Sequence, residues 1–269
     1  MDRISQNSNM NIQEKLKQIK NEKRMGLMTH VVVGYPTRDA TPKIVAAMEE
    51  AGVDFVELQI PFSDPLADGP SIMHACDVAL AGGITLEKCF SIAKVVIATS
   101  QIPILFMAYY NTVFTIGVEE FVKRASGIGI AGLIVPDIPP EEEGHEHFIA
   151  ICKKYKMSLI RILSPSSTPE RIKKNIEVAD EFIYLVSRAG TTGAQQELDP
   201  HVKEYVERVR SFTNLPIAVG FGISDKSHVD TLRGQADIAI VGSAVIDVIE
   251  RNKNGDYISS VSEFIRSLK

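Results

Sequence analysis

The sequence predicts a (β/α)8 barrel with one extra helix ahead of its first strand. Short apolar runs recur at intervals of roughly 20–30 residues through all 269 residues of the chain. These runs are near-continuous rather than alternating, the pattern of parallel strands covered on both faces. Amphipathic stretches lie between them, and no Gly/Ser linker or break in composition divides the chain. The main rival is a doubly wound open sheet. It would usually carry G-x-G-x-x-G after the first strand, and Val33-Gly34-Tyr35-Pro36 is not that motif.

Each element has a local cause. Residues 1–10 are polar, without the apolar stretch of a signal peptide, and read as a flexible tail; residues 11–269 read as one catalytic barrel domain. Asn11–Lys20 predicts a helix placed to plug the barrel bottom. Met28–Val33 is the first strand, followed by a helix over Pro42–Ala51 with Gly52 at its C-terminal end. Phe55–Ile60 and Ile104–Tyr109 are the next strands. Val118–Ser126 predicts a helix ending at Gly127, and Gly132–Pro136 and Ser158–Leu163 are the fourth and fifth strands. Thr168-Pro169-Glu170 opens a helix, with a capping threonine and a proline in its first turn. The last three strands are Phe182–Val186, Pro216–Val219 and Ile238–Val241. A helix over Asp225–Arg233 ends at Gly234, and another begins at Gly242-Ser243.

The totals exclude several functions. A net charge of −5 suggests neither a nucleic-acid nor an anionic-membrane partner. No apolar run is long enough to span a bilayer. The three cysteines, Cys76, Cys89 and Cys152, lack C-x-x-C spacing and read as reduced thiols of a cytoplasmic protein. No lysine lies inside a predicted strand, which argues against a Schiff-base aldolase or an enzyme built around pyridoxal phosphate. His145-Glu146-His147 has the wrong helical spacing for a metal pair and reads as a solvated face, so no metal site is expected.

The chemistry is expected at the carboxyl ends of the strands, where such barrels hold their sites. The second strand carries Glu57 among Val56, Leu58 and Ile60, and a charge there is costly unless it is used or paired. The proline-stiffened loop that follows holds Asp64 and Asp68. Two acids, one in an apolar place and one nearer water, suit general acid-base chemistry. The structural alternatives are that Glu57 pairs with a buried Arg161, that Asp64 shapes a turn, and that Asp137 braces loop N–H groups. His30 could line the mouth. Glycine clusters at Gly190-Thr191-Thr192-Gly193, Gly220-Phe221-Gly222 and Gly242-Ser243 follow the last three strands. Singly they make tight turns; together they suit a phosphate. The reaction read from the residues is proton transfer or carbon–carbon cleavage on a small sugar-phosphate-like substrate.

From about Leu27 to Ile249 the chain resembles the tryptophan synthase α subunit family. The most specific element is Ile60-Pro61-Phe62-Ser63-Asp64-Pro65-Leu66-Ala67-Asp68-Gly69-Pro70. Tyr109-Tyr110-Asn111, Pro136-Asp137-Ile138-Pro139, Ser187 to Ala194, Gly220 to Ser224 and Gly242-Ser243-Ala244 support it. The resemblance implies retro-aldol cleavage of indole-3-glycerol phosphate to indole and glyceraldehyde 3-phosphate in tryptophan biosynthesis. It implies Glu57 as the catalytic acid-base and Asp68 as the partner of the indole N–H. It places Tyr184 near Glu57, Phe221 and Ile240 in the apolar indole slot, Gly193, Gly222, Gly242 and Ser243 around the phosphate, and Thr192 among the substrate-binding residues. The loops 61–70 and 189–200 would be lids. The chain would carry no cofactor, and would pass indole to a β subunit holding pyridoxal phosphate, in an α2β2 heterotetramer. Two positions depart from the family pattern: Gln59 stands where glycine is usual, and Tyr35 stands in the usual Gly-Asp-Pro. Glu57 and Asp68 are intact, so activity is expected. Other readings are a different phosphate-binding lyase or isomerase barrel, and a barrel that mainly activates its β partner.

Overall fold

The computed structural model describes residues 10–186, 201–220 and 222–269. Its eight strands close into a parallel barrel in chain order, β1 (Gly26–Val32), β2 (Phe55–Gln59), β3 (Ile104–Met107), β4 (Gly132–Ile134), β5 (Ser158–Leu163), β6 (Ile183–Val186), β7 (Ile217–Gly220) and β8 (Ile238–Val241). The predicted fold class is the observed one. Ahead of the barrel lies α1 (Ile12–Asn21). The outer layer includes α2 (Ala40–Glu50), α3 (Pro70–Ala81), α4 (Leu86–Thr99), α5 (Tyr110–Ile116), α6 (Val118–Ile128), α7 (Glu143–Glu146), α8 (Phe148–Lys154), α9 (Pro169–Glu177), α10 (Val202–Arg210), α11 (Lys226–Leu232), α12 (Ser243–Asn252) and α13 (Tyr257–Ser267). No described helix is long and apolar enough to cross a membrane. The tail predicted for residues 1–10 lies, apart from Met10, outside the described residues.

Several boundaries shift from expectation by one or two residues, and two of the shifts have a local cause. Helix α6 runs through Gly127 and stops at Gly129, whose φ of +96° is the left-handed conformation that ends helices cheaply only at glycine. The third strand stops at Met107 because Tyr109, extended at φ −71° and ψ 144°, already serves as the N-cap of α5.

Alternate strand residues fill the barrel. Met28, Phe55, Leu105, Ile134, Ile160, Phe182, Ala218 and Ile238 form one interior cluster, while Val31, Leu58, Phe106 and Leu133 pack outward under the helices. Helix α1 is the expected plug. Asn11 caps it in a reciprocal box with Glu14, and Ile12 and Ile19 join the interior cluster. Burying each isoleucine contributes about 1.5–3 kcal/mol. A Cβ at Gly26 would lie 2.8 Å from Ile19 Cδ1, so the glycine at the start of β1 lets the plug seat.

One buried acid secures this end. Asp54, 2 % exposed, accepts from Arg24 Nη1 at 2.6 Å, Arg24 Nη2 at 2.7 Å and the Leu27 amide at 2.9 Å. Asp54→Asn removes the charge and half the bidentate geometry. The expected loss of unfolding free energy is about 2–3 kcal/mol, below the value for a fully buried pair because Arg24 keeps partial solvent contact. Urea denaturation checks this, and a loss under ~0.5 kcal/mol would show that the pair does not hold the barrel floor.

Candidate active site

Register brings the first two polar groups together. β1 and β2 pair in parallel with Met28 opposite Phe55 and His30 opposite Glu57. Met28 and Phe55 point into the barrel, so His30 and Glu57, two residues on, face the same interior one layer nearer the mouth. Both are buried, at 4 % and 2 % exposure. His30 Nδ1 lies 3.4 Å from Glu57 Oε1. Among the described residues Glu57 Oε2, His30 Nε2 and Gln59 Oε1 are buried without a hydrogen-bond partner. Such atoms are uncommon in a native interior and cost free energy unless a ligand or water meets them.

Gln59 is one layer higher on the same strand face and belongs to the second acid. Its Nε2 donates to Asp68 Oδ2 at 2.7 Å and lies 3.6 Å from Cys76 Sγ in α3. Tyr109 Oη donates to the same Asp68 oxygen at 3.0 Å while accepting from the Ala67 amide, also at 3.0 Å. The Phe62 ring stacks on Tyr109 with centroids 5.3 Å apart. The loop between β2 and α3 is thereby laid over the barrel mouth with its carboxylate turned inward. Gln59→Leu keeps the volume but removes one of the two hydrogen bonds to a buried acid. A loss of about 1–3 kcal/mol in unfolding free energy is expected from urea titration, and an unchanged midpoint would mean that the amide does not anchor Asp68.

The electrostatics follow from the burial. Desolvation raises the Asp68 carboxyl above its ordinary range, against the opposing pull of His30, Gln59 and Tyr109. His30 moves up on balance: burial opposes its charge, but the carboxylate of Glu57 first, then that of Asp68 and the nearby Gln59 amide, outweigh it. Tyr184 is held well above the usual phenol range by burial and then by Glu57 and Asp68, and Tyr109 is raised by burial and then by Asp68. Both hydroxyls stay protonated, and that of Tyr109 donates to Asp68.

The opposite side of the mouth is built on β6, β7 and β8. Tyr184 and Ile240 join the interior wall. A Cβ on Gly220 would come within 3.0 Å of Tyr184 Cε2, so the ring lies against that glycine. Ala218 pairs with Ile238 and Val219 with Ala239, and Gly222 and Gly242 follow just past the ends of β7 and β8. Gly222 has φ +65°, and Gly242 is the N-cap of α12, which Ser243 opens. The helix start offers free N–H groups and a positive dipole end. Thr192, Gly193 and Phe221, and the loop predicted over 189–200, lie outside the described residues.

Several structural alternatives are now decided. Arg161 is not the partner of Glu57. It lies on the outer face of β5, between the inward Ile160 and Ile162, and donates to Asn175 Oδ1 at 2.9 Å and the Ile138 carbonyl at 2.8 Å. Asp137 braces a helix start rather than a loop amide, accepting from the Tyr110 N–H that opens α5 at 2.7 Å. Asp64 is exposed and accepts from Ser63 Oγ within the turn. Tyr35 is buried and donates its hydroxyl to Glu250, which also meets His74. The three cysteines are free and buried, and no group of metal-ligating side chains occurs among the described residues. The roles of His30 and Tyr109 escape the sequence reading. Period-2 parity with Met28 points His30 inward, but only the register brings it opposite Glu57.

A sequence profile described as tryptophan synthase alpha chain matches residues 16–268. The chain belongs to this family. Among its relatives, the tryptophan synthase alpha chain of Syntrophotalea carbinolica is 44 % identical over 248 residues, covering 92 % of this chain and 96 % of the relative. That of Desulfotalea psychrophila is 43 % identical over 260 residues, covering 97 % and 100 %. Tryptophan synthase of Mycobacterium tuberculosis superposes with a TM-score of 0.88 at 29 % identity, covering 96 % of each chain. The tryptophan synthase alpha subunit of Legionella pneumophila does so with 0.88 at 28 %, covering 96 % and 97 %. Membership of the tryptophan synthase alpha family implies a lyase acting on indole-3-glycerol phosphate in tryptophan biosynthesis.

Proposed function

We propose that this chain cleaves indole-3-glycerol phosphate by a retro-aldol reaction in which Glu57 moves the protons and Asp68 holds the ring, all within one catalytic domain over residues 11–269. The observation that carries this reading is the pair of buried carboxyl groups at the mouth, one with an unpartnered oxygen and one fixed by Gln59 and Tyr109, facing the glycine-rich ends of β7 and β8.

Indole C3 must gain a proton and the adjacent glycerol hydroxyl must lose one before the bond between them breaks. Glu57 Oε2 is free to give the first and accept the second, which leaves the carboxyl as it began. Protonation at C3 puts positive charge on the ring nitrogen. Both donors to Asp68 fall on Oδ2, so Oδ1 is available to accept the ring N–H and offset that charge. Ile240 and Phe221 would flank the ring, with Tyr184 beside Glu57. Thr192, Gly193, Gly222, Gly242 and Ser243 would hold the phosphate end. Gln59 and Tyr35 both replace family residues with groups bonded to carboxylates, Asp68 and Glu250, which supports a reworked mouth rather than an inactive one.

The partner is a β subunit that holds the pyridoxal phosphate and receives indole, in an α2β2 heterotetramer in the cytoplasm; this chain needs no cofactor of its own. The loops 61–70 and 189–200 act as lids biased by that subunit. The test is release of indole and glyceraldehyde 3-phosphate from indole-3-glycerol phosphate, with and without a β subunit. Slow cleavage alone and faster cleavage with the partner are expected. No cleavage in either case overturns the reading.

A further inference from the structure

We propose that His30 is a positioning residue for the cleavage: with Glu57 it forms a dyad that shares one proton and keeps it within the site, so that Glu57 enters each turnover with the proton it must deliver to indole C3. This rests on the role given to Glu57 above. The observations are geometric. His30 and Glu57 are opposite one another in the β1–β2 ladder, both are buried, and Nδ1 lies 3.4 Å from Oε1. The other carboxyl oxygen has no partner among the described residues. The imidazole therefore occupies one oxygen and leaves the second for substrate. Gly242, past the end of the neighbouring β8, lies beside it: a Cβ there would come 3.6 Å from His30 Cβ.

The proton count closes. With the proton on Glu57, Oε2 delivers it to indole C3 and the carboxylate takes the proton of the glycerol hydroxyl as the carbon–carbon bond breaks. With the proton on His30, the pair is an imidazolium beside a carboxylate, the form an isolated buried glutamate cannot reach without solvent. No other co-reactant is needed. Among the described residues the titratable groups that act on His30 are Glu57 of β2 and Asp68 of the following loop; Tyr184 of β6 feels the same two carboxylates. β8 adds only Ile240 and the Gly242 backbone. The negative neighbours raise His30 above the ordinary histidine range, so the shared proton is present at lower pH and is lost as pH rises through that raised value.

The test uses the full chain with its β subunit, and His30→Asn, His30→Phe and Glu57→Gln. Asparagine keeps a donor near the Nδ1 position but cannot titrate; phenylalanine removes both properties. For His30→Asn, kcat at pH 8 is expected to fall about 30–100-fold with KM within twofold, and the alkaline limb of the kcat/KM profile to move to lower pH. His30→Phe should fall further. A parallel drop at every pH, with the limb unmoved, would reduce His30 to a packing role and overturn the proposal. Unchanged kcat in His30→Asn would also overturn it. Retained turnover in Glu57→Gln would instead overturn the role of Glu57 itself, so the two failures are separate. Thermal melts of each variant establish that the barrel is folded.

Discussion

Glu57→Gln is expected to lower kcat for indole-3-glycerol phosphate cleavage by about 10³–10⁴-fold, with KM nearly unchanged. The substitution is almost isosteric. The amide can still accept from His30 through its oxygen and still fills the layer above Phe55. What it lacks is a titratable proton, and the reaction needs one delivered to carbon and one withdrawn from a hydroxyl. The loss corresponds to about 4–5.5 kcal/mol of transition-state stabilisation. Single-turnover measurement of indole formation separates this from slow product release. A loss below tenfold would show that another group moves the protons.

Asp68→Asn should cost about 10²–10³-fold in kcat, by a different route. Here the group exchanges no proton. The carboxylate lies where a ring cation develops, and an amide can accept the ring N–H but cannot balance the charge. Asparagine also disturbs its own anchorage, because Gln59 Nε2 and Tyr109 Oη both need an acceptor at the position of Oδ2. If the amide turns its nitrogen toward them, two donors lose their partner and the loop between β2 and α3 loosens. The variant should therefore show raised KM along with lowered kcat, whereas Glu57→Gln should lower kcat alone. The same kinetic pattern in both variants would argue against the division of labour between the two acids.

The barrel was legible because its cause is local. Runs such as Ile104–Met107 and Ile238–Val241 are apolar on both faces, and caps such as Asn11 and Thr168 mark helix starts without reference to anything distant. Boundaries set by one glycine among several were less legible: Gly127 and Gly129 are both plausible stops, and the one that reaches positive φ ends α6. At the site, Glu57 stood out because its charge is at odds with its neighbours. Gln59 stood out only against the family pattern, since a neutral amide two residues on conflicts with nothing nearby, and its partner Asp68 is reached only once the loop folds back.

The sequence by itself determined the eight-fold alternation, the family, and the two acids flanked by a stiff loop and glycine-rich turns. All of these are written in residue type and short-range spacing. Tertiary structure alone decided who meets whom at the mouth. His30 faces Glu57 because two parallel strands chose one register out of several, and Arg161 is excluded because its strand turns it outward. Gln59 secures Asp68 because the loop closes over β3 onto Tyr109. Register and loop closure are settled by packing across the whole barrel, and no short stretch of sequence contains that information.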